Sequence, residues 1–316
     1  MTMYFPDMAF MPLNTNLGMA GKLDGKVAVV TGSGRGFGRA IALSYALEGA
    51  TVVSVARSKH ELLDAERSIL EVGGEVLTVV ADLSNLLGIK KLYNETMHFY
   101  EGIDILVNNA ATSSWQRIED ITIENWDKTI AVNLRTPFIL TKLFYPSIKK
   151  RGGGSIINIS SRSAEIGFLA ELAYCPSKFG LEGLTQCLAL ELKLHNIAVN
   201  SLNVASTPGK RLKPTDLTLE EANKMPENIR RSYADDLELV EHFGAAWVFL
   251  AGQDASRITG MRLETAEVSD VLKKGGSEEA YKRWRDKRIE ALYRPVEWPK
   301  SIKYQTKEGG WEELVF

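Results

Sequence analysis

Two spacings of apolar residues alternate along the chain. Short runs rich in β-branched residues recur, and between them segments such as RAIALSYALEG and IKKLYNETMHFY carry an apolar residue at every third or fourth position. The short runs are VAVV at 27–30, TVVSV at 51–55, EVLTVV at 75–80, DILV at 104–107, SIINIS at 155–160 and IAVNSL at 197–202. Runs of the first kind are typical of buried strands, and the second spacing is typical of helices. Their alternation predicts an α/β fold, a doubly wound parallel sheet with helices on both faces.

The predicted strands and helices belong to a single domain. No repeat, low-complexity tract or linker interrupts the pattern between Lys26 and Glu264. We therefore expect an N-terminal arm at 1–22, one α/β domain at 23–268 and a C-terminal extension at 269–316.

The C-terminal extension carries more charge and more aromatic residues than the domain before it. Residues 277–293 are predicted to form one helix, with Tyr281, Trp284 and Leu292 as inward contacts. Such a helix packs on its own domain, contacts a second subunit or covers an active site, and the sequence leaves these alternatives open.

Composition and charge narrow the class of protein. The 316 residues are 45% hydrophobic and 25% charged, and a net charge of -2 gives no electrostatic case for a nucleic-acid partner. The first 21 residues lack the features of a secretory signal, and no stretch of 18 apolar residues suggests a membrane span. On one helix, Cys175 and Cys187 would lie about 18 Å apart, beyond disulfide reach, so we expect two buried thiols in a reducing, cytoplasmic protein.

A glycine-rich segment follows the first predicted strand. The spacing G-x-G-x-x-G is absent, because Phe37 stands where the third glycine would fall. Gly32, Gly36 and Gly38 instead form T-G-x-x-x-G-x-G between that strand and a helix. Glycines allow a sharp turn and a close approach, and a helix start attracts a pyrophosphate. A tight strand-to-helix connection also needs glycine, so this loop alone does not establish a cofactor.

The end of the second strand bears on the choice of cofactor. An acidic side chain there would accept hydrogen bonds from ribose hydroxyls, whereas a basic one would pair with a 2'-phosphate. TVVSVARSK places Ala56 at the acidic position and Arg57 beside it, and Arg35 in the glycine loop should project toward the same pocket. Two guanidinium groups favour NADP over NAD, unless both are simply solvated surface arginines.

Chemistry-bearing residues follow the fifth predicted strand. Tyr174 and Lys178 lie four positions apart and therefore share one helix face. Ser161 stands 13 residues before the tyrosine, just past the carboxyl end of its strand, where open parallel sheets bind their ligands. NNA at 108–110 follows the fourth strand, and Asn133 lies in AVNLRTPF. The combination, in this order, leaves little room for coincidence.

With these motifs the chain resembles the short-chain dehydrogenases/reductases, in the branch with TGxxxGxG and Y-x-x-x-K, over roughly residues 23–265. The resemblance implies that residues 23–268 form a Rossmann-type catalytic domain with a seven-stranded sheet. It also implies a small alcohol or ketone as substrate, no metal, and a homodimer or homotetramer. It implies a catalytic set of Asn133, Ser161, Tyr174 and Lys178. The implied cofactor contacts are Gly32, Ser33, Gly34, Arg35, Gly36, Phe37, Gly38, Arg57, Asp82, Leu83, Asn109, Tyr174 and Lys178.

These residue types suit hydride transfer between a nicotinamide and a carbonyl or secondary alcohol. A phenol with an ordinary pKa near 10 is a poor base, but the ammonium of Lys178 favours its phenolate form. Tyr174 would then exchange a proton with the substrate oxygen, Ser161 would hydrogen-bond that oxygen, and Asn133 would hold a relaying water. Enoyl reductases of the superfamily generally place six residues between tyrosine and lysine. The three found here favour carbonyl over C=C reduction.

The chain departs from the family pattern after the sixth strand. The Pro-Gly turn comes four residues late, at Pro208 and Gly209, so Thr207 and Thr215 are both candidates to hold the nicotinamide carboxamide. A polar segment at about 205–240 is the expected substrate lid. ITGMRLETAEVSD replaces the usual Asp-Gly-Gly turn, which suggests an altered oligomer contact or a tail that reaches over the active site.

Three functions remain open at this point. The first is an NADP-dependent alcohol dehydrogenase or ketone reductase, the second a catalytically silent NADP-binding regulatory protein, and the third an epimerase or dehydratase that uses the nicotinamide transiently. Trp115, Arg162 and Glu165 are expected to line the pocket, and their character favours a polar or amphiphilic substrate.

Overall fold

The computed structural model describes residues 21–205, 207–211, 224, 226–230, 233–289, 301–305 and 311–315. Thr215, Leu292, most of the N-terminal arm and much of the expected lid lie outside the described residues.

A parallel sheet of seven strands forms the centre of the domain, in the order β3-β2-β1-β4-β5-β6-β7. The strands are β1 Val27–Thr31, β2 Thr51–Ala56, β3 Glu75–Val80, β4 Ile105–Asn108, β5 Gly154–Ile159, β6 Ile197–Asn203 and β7 Arg262–Glu264. Each end of the six predicted strands lies within one residue of the observed end. The predicted fold class is confirmed.

Helices connect the strands and cover both faces of the sheet. They are α1 Gly36–Leu47, α2 Lys59–Glu71, α3 Leu86–Tyr100, α4 Ile123–Ile130, α5 Thr136–Lys150, α6 Tyr174–Leu192, α7 Glu227–Arg230, α8 Asp236–Ala251 and α9 Thr265–Trp284. A π-helical turn, Ala131–Arg135, joins α4 to α5, and a 3-10 turn, Arg162–Ala164, follows β5. Two further strands, β8 Ser301–Gln305 and β9 Trp311–Val315, pair antiparallel.

The core has one apolar layer on each face of the sheet. Successive side chains of a strand point to opposite faces, so Val30 joins the layer under α1 and α8, whereas Val29 joins the layer under α3 and α5. Trp247 is the largest fully buried side chain of the first layer, and Phe144 has the same place in the second. Burial on both faces explains why the strands are continuous apolar runs.

The C-terminal helix starts and ends earlier than predicted. α9 runs from Thr265 to Trp284 and is interrupted at Gly276, whose φ of 63° lies in the left-handed region. The predicted end at residue 293 is wrong, because the backbone leaves the helical conformation at Arg285. Trp284 is buried in the same layer as Trp247, and Tyr281 packs against that layer. The described part of this helix therefore packs on its own domain.

Both cysteines lie on α6, and both are free. Cys175 is buried, but Cys187 is exposed, so the expectation of two buried thiols is wrong for Cys187. Twelve positions turn the chain by about 120° around an α-helix of about 3.6 residues per turn, which carries Cys187 off the buried face.

Within the described parts of the chain, we find no helix that is long and apolar enough to cross a bilayer.

Candidate active site

The residues singled out in the sequence converge where the strand order of the sheet reverses. β1 pairs with β2 on one side and with β4 on the other, so the loops that follow β1 and β4 lie side by side. The loop after β5 adjoins them and carries Ser161. Open α/β sheets bind ligands in the crevice at this point.

The glycine loop after β1 is tightly built. Gly32 and Gly36 have φ of 67° and 56°, in the left-handed region that favours glycine. A Cβ on Gly38 would collide with the carbonyl oxygen of Gly32, and one on Gly32 would lie 2.9 Å from Cα of Ala110. The next helix begins without a side-chain cap and has no acidic residue in its first turn. This cradle fits a pyrophosphate. The helix N–H groups have no side-chain cap, and the glycines allow an anion to come close to the backbone.

Hydrogen bonds fix the glycine loop to the neighbouring strands. Asn109 Nδ2 donates to the carbonyl oxygen of Thr31 at 2.8 Å, and the Thr31 hydroxyl accepts from the backbone N–H of Asn109 and of Ala110, both at 2.9 Å. Ser33 Oγ lies 2.6 Å from Ser54 Oγ on β2. Asn109 and Ser33 thus hold the shape of the loop from both sides.

The two basic residues expected to select the cofactor are Arg35, in the glycine loop, and Arg57, after β2, and a carboxylate that the sequence reasoning missed lies beside Arg35. Arg35 Nε lies 3.3 Å from Glu61 Oε1, and the ion pair is partly buried. Arg57 is exposed and close to Asp82. Partial burial raises the pKa of Asp82, but hydrogen bonds from Ser84 and the charge of Arg57 outweigh it, so the net pKa is lowered. Glu61 lies on α2, and no motif in the sequence marks it as a partner of Arg35.

Two other predicted cofactor contacts have side chains in the core. The Phe37 ring packs edge-on against Trp247, with 5.7 Å between ring centroids. Leu83 is buried in the apolar layer that also holds Val53 and Ile89. The Phe37 side chain therefore anchors α1 to α8.

Tyr174 and Lys178 lie together in the first turns of α6. Lys178 Nζ is 5.5 Å from the centroid of the Tyr174 ring and donates to the carbonyl oxygen of Ile159 at 2.7 Å. That hydrogen bond fixes the lysine to the last residue of β5, two positions before Ser161. The lysine is 2% exposed, and burial lowers its pKa to about 8, against the opposing charge of Glu182.

The Tyr174 phenol does not have the low pKa that the sequence predicts. Burial raises its pKa well above the ordinary value, and the charge of Glu171 raises it further. A hydrogen-bonding interaction with Ser161 acts in the opposite direction but does not outweigh them. The predicted shift toward the phenolate is therefore wrong in direction, because desolvation of the phenol and the Glu171 charge both favour the neutral form.

Asn133 occupies the π-helical turn between α4 and α5. Its Nδ2 donates to the carbonyl oxygen of Thr112 at 2.9 Å and to Ser177 Oγ at 3.0 Å, and its Oδ1 accepts from Thr112 N–H at 2.9 Å. Ser177 in turn donates to the carbonyl oxygen of Tyr174 at 2.6 Å. The side chain of Asn133 thus ties the loop after β4 to the helix that carries the tyrosine. π-turns of this kind occur frequently at functional sites.

An ion-pair network centred on Arg262, a largely buried arginine, was not anticipated. Arg262 of β7 lies 2.5 Å from a Glu165 oxygen and 2.8 Å from a Glu264 oxygen. Its Nε is 3.4 Å from Glu182 Oε1, within ion-pair range but without hydrogen-bond geometry. Glu182 is 2% exposed and accepts hydrogen bonds from Ser160 and from Ser201, the latter at 2.6 Å.

The three residues expected to line the pocket have different surroundings. Glu165 is engaged by Arg262. Arg162 is exposed and stacks over Phe168, with 5.9 Å from its guanidinium carbon to the ring centroid, and Trp115 is half-buried. The sequence signal for Glu182 was its position four residues after Lys178, on the same helix face.

The loop after β6 supplies one candidate to hold the carboxamide. Thr207 is buried, and its hydroxyl has no hydrogen-bond partner among the described residues. A buried hydroxyl without a partner is costly unless a ligand satisfies it, which fits the contact proposed from sequence. Thr215, the other candidate, lies outside the described residues.

The sequence is similar to those of known dehydrogenases and reductases. The family profile described as short chain dehydrogenase matches residues 26–216. Dehydrogenase/reductase SDR family member 4 of Homo sapiens is 37% identical over 75% of this chain and 85% of its own. An NAD-dependent glycerol dehydrogenase of Listeria innocua serovar 6a is 31% identical over 75% of this chain and 91% of its own.

Solved structures are similar over the same part of the chain. L-sorbose reductase from Gluconobacter frateurii, in complex with NADPH and L-sorbose, matches with a TM-score of 0.67 and 30% identity, over 78% of this chain and 97% of its own. A metagenomic short-chain oxidoreductase in complex with NADP matches with a TM-score of 0.57 and 36% identity, over 62% of this chain and 88% of its own. The resemblance read from the motifs is therefore confirmed, and the chain belongs to the short-chain dehydrogenase/reductase family of oxidoreductases.

Proposed function

We propose that the protein transfers a hydride between NADP(H) and a carbonyl or secondary alcohol, with Tyr174 as the general acid/base. The observation that carries this proposal is the grouping of Tyr174, Ser161 and Lys178 beside the glycine cradle, at the reversal point of the sheet. A phenol, a hydroxyl and a buried cation at one place supply a proton donor, an oxyanion partner and a compensating charge.

Each residue of the set has a role that its contacts support. Tyr174 gives a proton to the carbonyl oxygen during reduction and takes it back during alcohol oxidation. Ser161 hydrogen-bonds that oxygen as charge develops on it, and Lys178 is held by the carbonyl of Ile159, with its ammonium near the phenol ring. Asn133 keeps the helix of Tyr174 in register with the loop after β4. The nicotinamide supplies the hydride when it is bound.

The raised pKa of Tyr174 favours the neutral phenol, which is the proton-donating form. Carbonyl reduction needs that form, whereas alcohol oxidation needs the phenolate. We therefore propose that reduction is the better supported direction at neutral pH. Oxidation should become relatively faster as the pH rises.

The preference for NADP rests on Arg35 in the glycine loop and Arg57 after β2. Their guanidinium groups suit a 2'-phosphate, and two similar structures hold NADP or NADPH. Glu61 neutralises part of the Arg35 charge, and one relative is NAD-dependent, so Arg57 carries the larger share of the expected preference. Glu61 holds the Arg35 side chain in place beside the pocket.

One kinetic comparison tests the choice of cofactor. KM is measured for NADPH and NADH in the wild type, in Arg57→Asp and in Arg67→Asp, a matched charge reversal on the exposed side of α2. We expect the wild type to prefer NADPH by about tenfold or more, since charge-assisted hydrogen bonds contribute about 1.5–3 kcal/mol. Arg57→Asp should abolish the preference, and Arg67→Asp should keep it. A wild-type preference for NADH contradicts the assignment.

The reaction type is tested with a panel of ketones and secondary alcohols, followed by the absorbance of the reduced nicotinamide. Net oxidation or reduction of the cofactor supports the proposal. Tight cofactor binding without conversion of any substrate supports the silent binding protein. Substrate conversion without net change in the cofactor supports an epimerase or dehydratase.

A further inference from the structure

Glu171 lies at the start of the helix that carries Tyr174. The backbone N–H of Cys175 donates to the carbonyl oxygen of Glu171 at 3.0 Å, which ties the turn that precedes α6 to the first residues of the helix. Cys175 Sγ also donates to Glu171 Oε2 at 3.3 Å, which places the carboxylate against the first turn of α6. The charge of Glu171 raises the pKa of the Tyr174 phenol, which agrees with a carboxylate close to that hydroxyl.

A line of polar groups leads from the catalytic phenol to this carboxylate. Ser161 interacts with Tyr174, and Ser161 Oγ donates to Ser163 Oγ at 3.2 Å. The Ser163 hydroxyl interacts with the Glu171 carboxylate, and Cys175 Sγ donates to Glu171 Oε2 at 3.3 Å. Glu171 therefore belongs to the same wall of the site as the group that exchanges the proton.

The wall is fixed from the opposite side by the segment after β4. Gln116 N–H donates to the carbonyl oxygen of Ala170 at 3.0 Å, and Gln116 forms a parallel bridge with Glu171. Asn125 Nδ2 holds the Gln116 side chain at 2.9 Å. The position of Glu171 is thus set by two elements of the domain, which suits a residue that recognises a ligand.

The carboxylate retains unused capacity to accept hydrogen bonds. An ionised carboxylate has about four acceptor positions, and the thiol among its donors is a weak one. Among the described residues, no lysine, arginine or histidine nitrogen forms an ion pair with Glu171. Burial raises the pKa of Glu171, as expected for a carboxylate with incomplete compensation. A partly desolvated acceptor of this kind gains most from a ligand that donates a hydrogen bond.

We propose that Glu171 is a specificity residue that accepts a hydrogen bond from a second donor group of the substrate, on the carbon next to the one that reacts. The matching substrates are vicinal diols, α-hydroxy ketones and their amino counterparts. This inference rests on the proposed function, because it takes Tyr174 as the reacting end of the site.

Binding and turnover are compared for three probes of one carbon skeleton: the vicinal butanediol, the secondary butanol, and the amino alcohol with an ammonium in place of the second hydroxyl. The variants are Glu171→Gln, Glu171→Ala and, as a matched control, Glu191→Gln at the exposed end of α6. Thermal unfolding checks that each variant is folded. Probe binding is also titrated by NMR in the NADP-loaded Tyr174→Phe protein, with and without Glu171→Gln.

We expect the wild type to favour the diol or the amino alcohol over the butanol. Glu171→Gln should lower kcat/KM for the favoured probe by about tenfold to a hundredfold, through KM, because a hydrogen bond to a charged group is lost. Butanol should change by less than about twofold, which is the size of a surface effect. Selection of the diol identifies a hydroxyl as the donor, and selection of the amino alcohol identifies an ammonium.

An unchanged ratio of diol and amino alcohol to butanol in both Glu171 variants overturns the inference, and so does a wild type that binds all three probes equally. The binding titration separates this result from a failure of the proposed function. Loss of diol binding in the double variant supports Glu171 even if no probe is turned over. Turnover that survives Tyr174→Phe removes the proposed mechanism and leaves the binding result to decide on Glu171.

Discussion

The buried Lys178 should make the stability of the protein rise with pH in the alkaline range. Its pKa is lowered from 10.5 to about 8 by burial, so the unfolded chain binds a proton that the folded chain releases between these values. Stability increases with pH wherever the unfolded state binds more protons. Below pH 8 the folded protein pays for a buried ammonium, and above pH 10.5 this cost has vanished.

The size of the effect follows from the shift. One pKa unit corresponds to about 1.4 kcal/mol, so the buried ammonium costs about 3 kcal/mol at neutral pH. Lys178→Met removes that cost but leaves the Ile159 carbonyl without its donor, a loss of about 1–3 kcal/mol. The two effects largely cancel at neutral pH. Their pH dependence separates them, because only the first depends on protonation.

Urea unfolding followed by circular dichroism measures the effect for the wild type, for Lys178→Met and for Lys142→Met, a matched change at an exposed lysine of α5. From about pH 7 to about pH 9.5 the wild type should gain about 2 kcal/mol relative to Lys178→Met. Other titrating groups are common to both proteins and cancel in this difference. Lys142→Met should follow the wild type. A constant difference between wild type and Lys178→Met would refute the reasoning.

Three further predictions concern the surroundings of the site. Arg262→Met should destabilise the protein by about 3–5 kcal/mol in urea unfolding, because it removes the guanidinium beside the buried Glu182 carboxylate, whereas Arg283→Met at an exposed pair should cost less than about 1 kcal/mol. Equal costs would contradict the network. Gly38→Ala should abolish NADP binding measured by fluorescence, since its Cβ has no room, whereas Gly183→Ala has open space and should bind normally. Asn133→Ala should lower kcat about tenfold or more with little change in NADP affinity, because three side-chain hydrogen bonds that hold the site are lost. An unchanged kcat would count against that role.

The sheet and the grouping of the motifs could be predicted because both depend on local patterns. A strand buried on both faces needs a continuous apolar run, so the strands Val27–Thr31 and Ile197–Asn203 are recognisable from the sequence alone. Tyr174 and Lys178 share a face through the helical period alone. The carboxyl ends of parallel strands meet at one edge, which brings the loops after β1, β4 and β5 together without further information.

Features that depend on contacts distant in sequence could not be predicted. Arg262 and Glu182 are eighty positions apart and meet only once β7 pairs with β6. Phe37 stands inside the cofactor motif, but its ring packs on Trp247 of α8. The predicted direction of the Tyr174 pKa shift was wrong because burial is a property of the whole fold, whereas the sequence shows only the neighbouring charge.

The central claim is that hydride passes between NADP(H) and the substrate while Tyr174 exchanges the proton. The most direct test uses NADPH in which both hydrogens on the hydride-donating carbon of the nicotinamide are deuterium, with a ketone that the protein turns over, and analyses the product by mass spectrometry. We predict one deuterium on the new carbinol carbon with the wild type and with the control Tyr145→Phe, and almost no product with Tyr174→Phe. Product formed without the label, or labelled product formed by Tyr174→Phe at a rate near that of the wild type, would contradict the account.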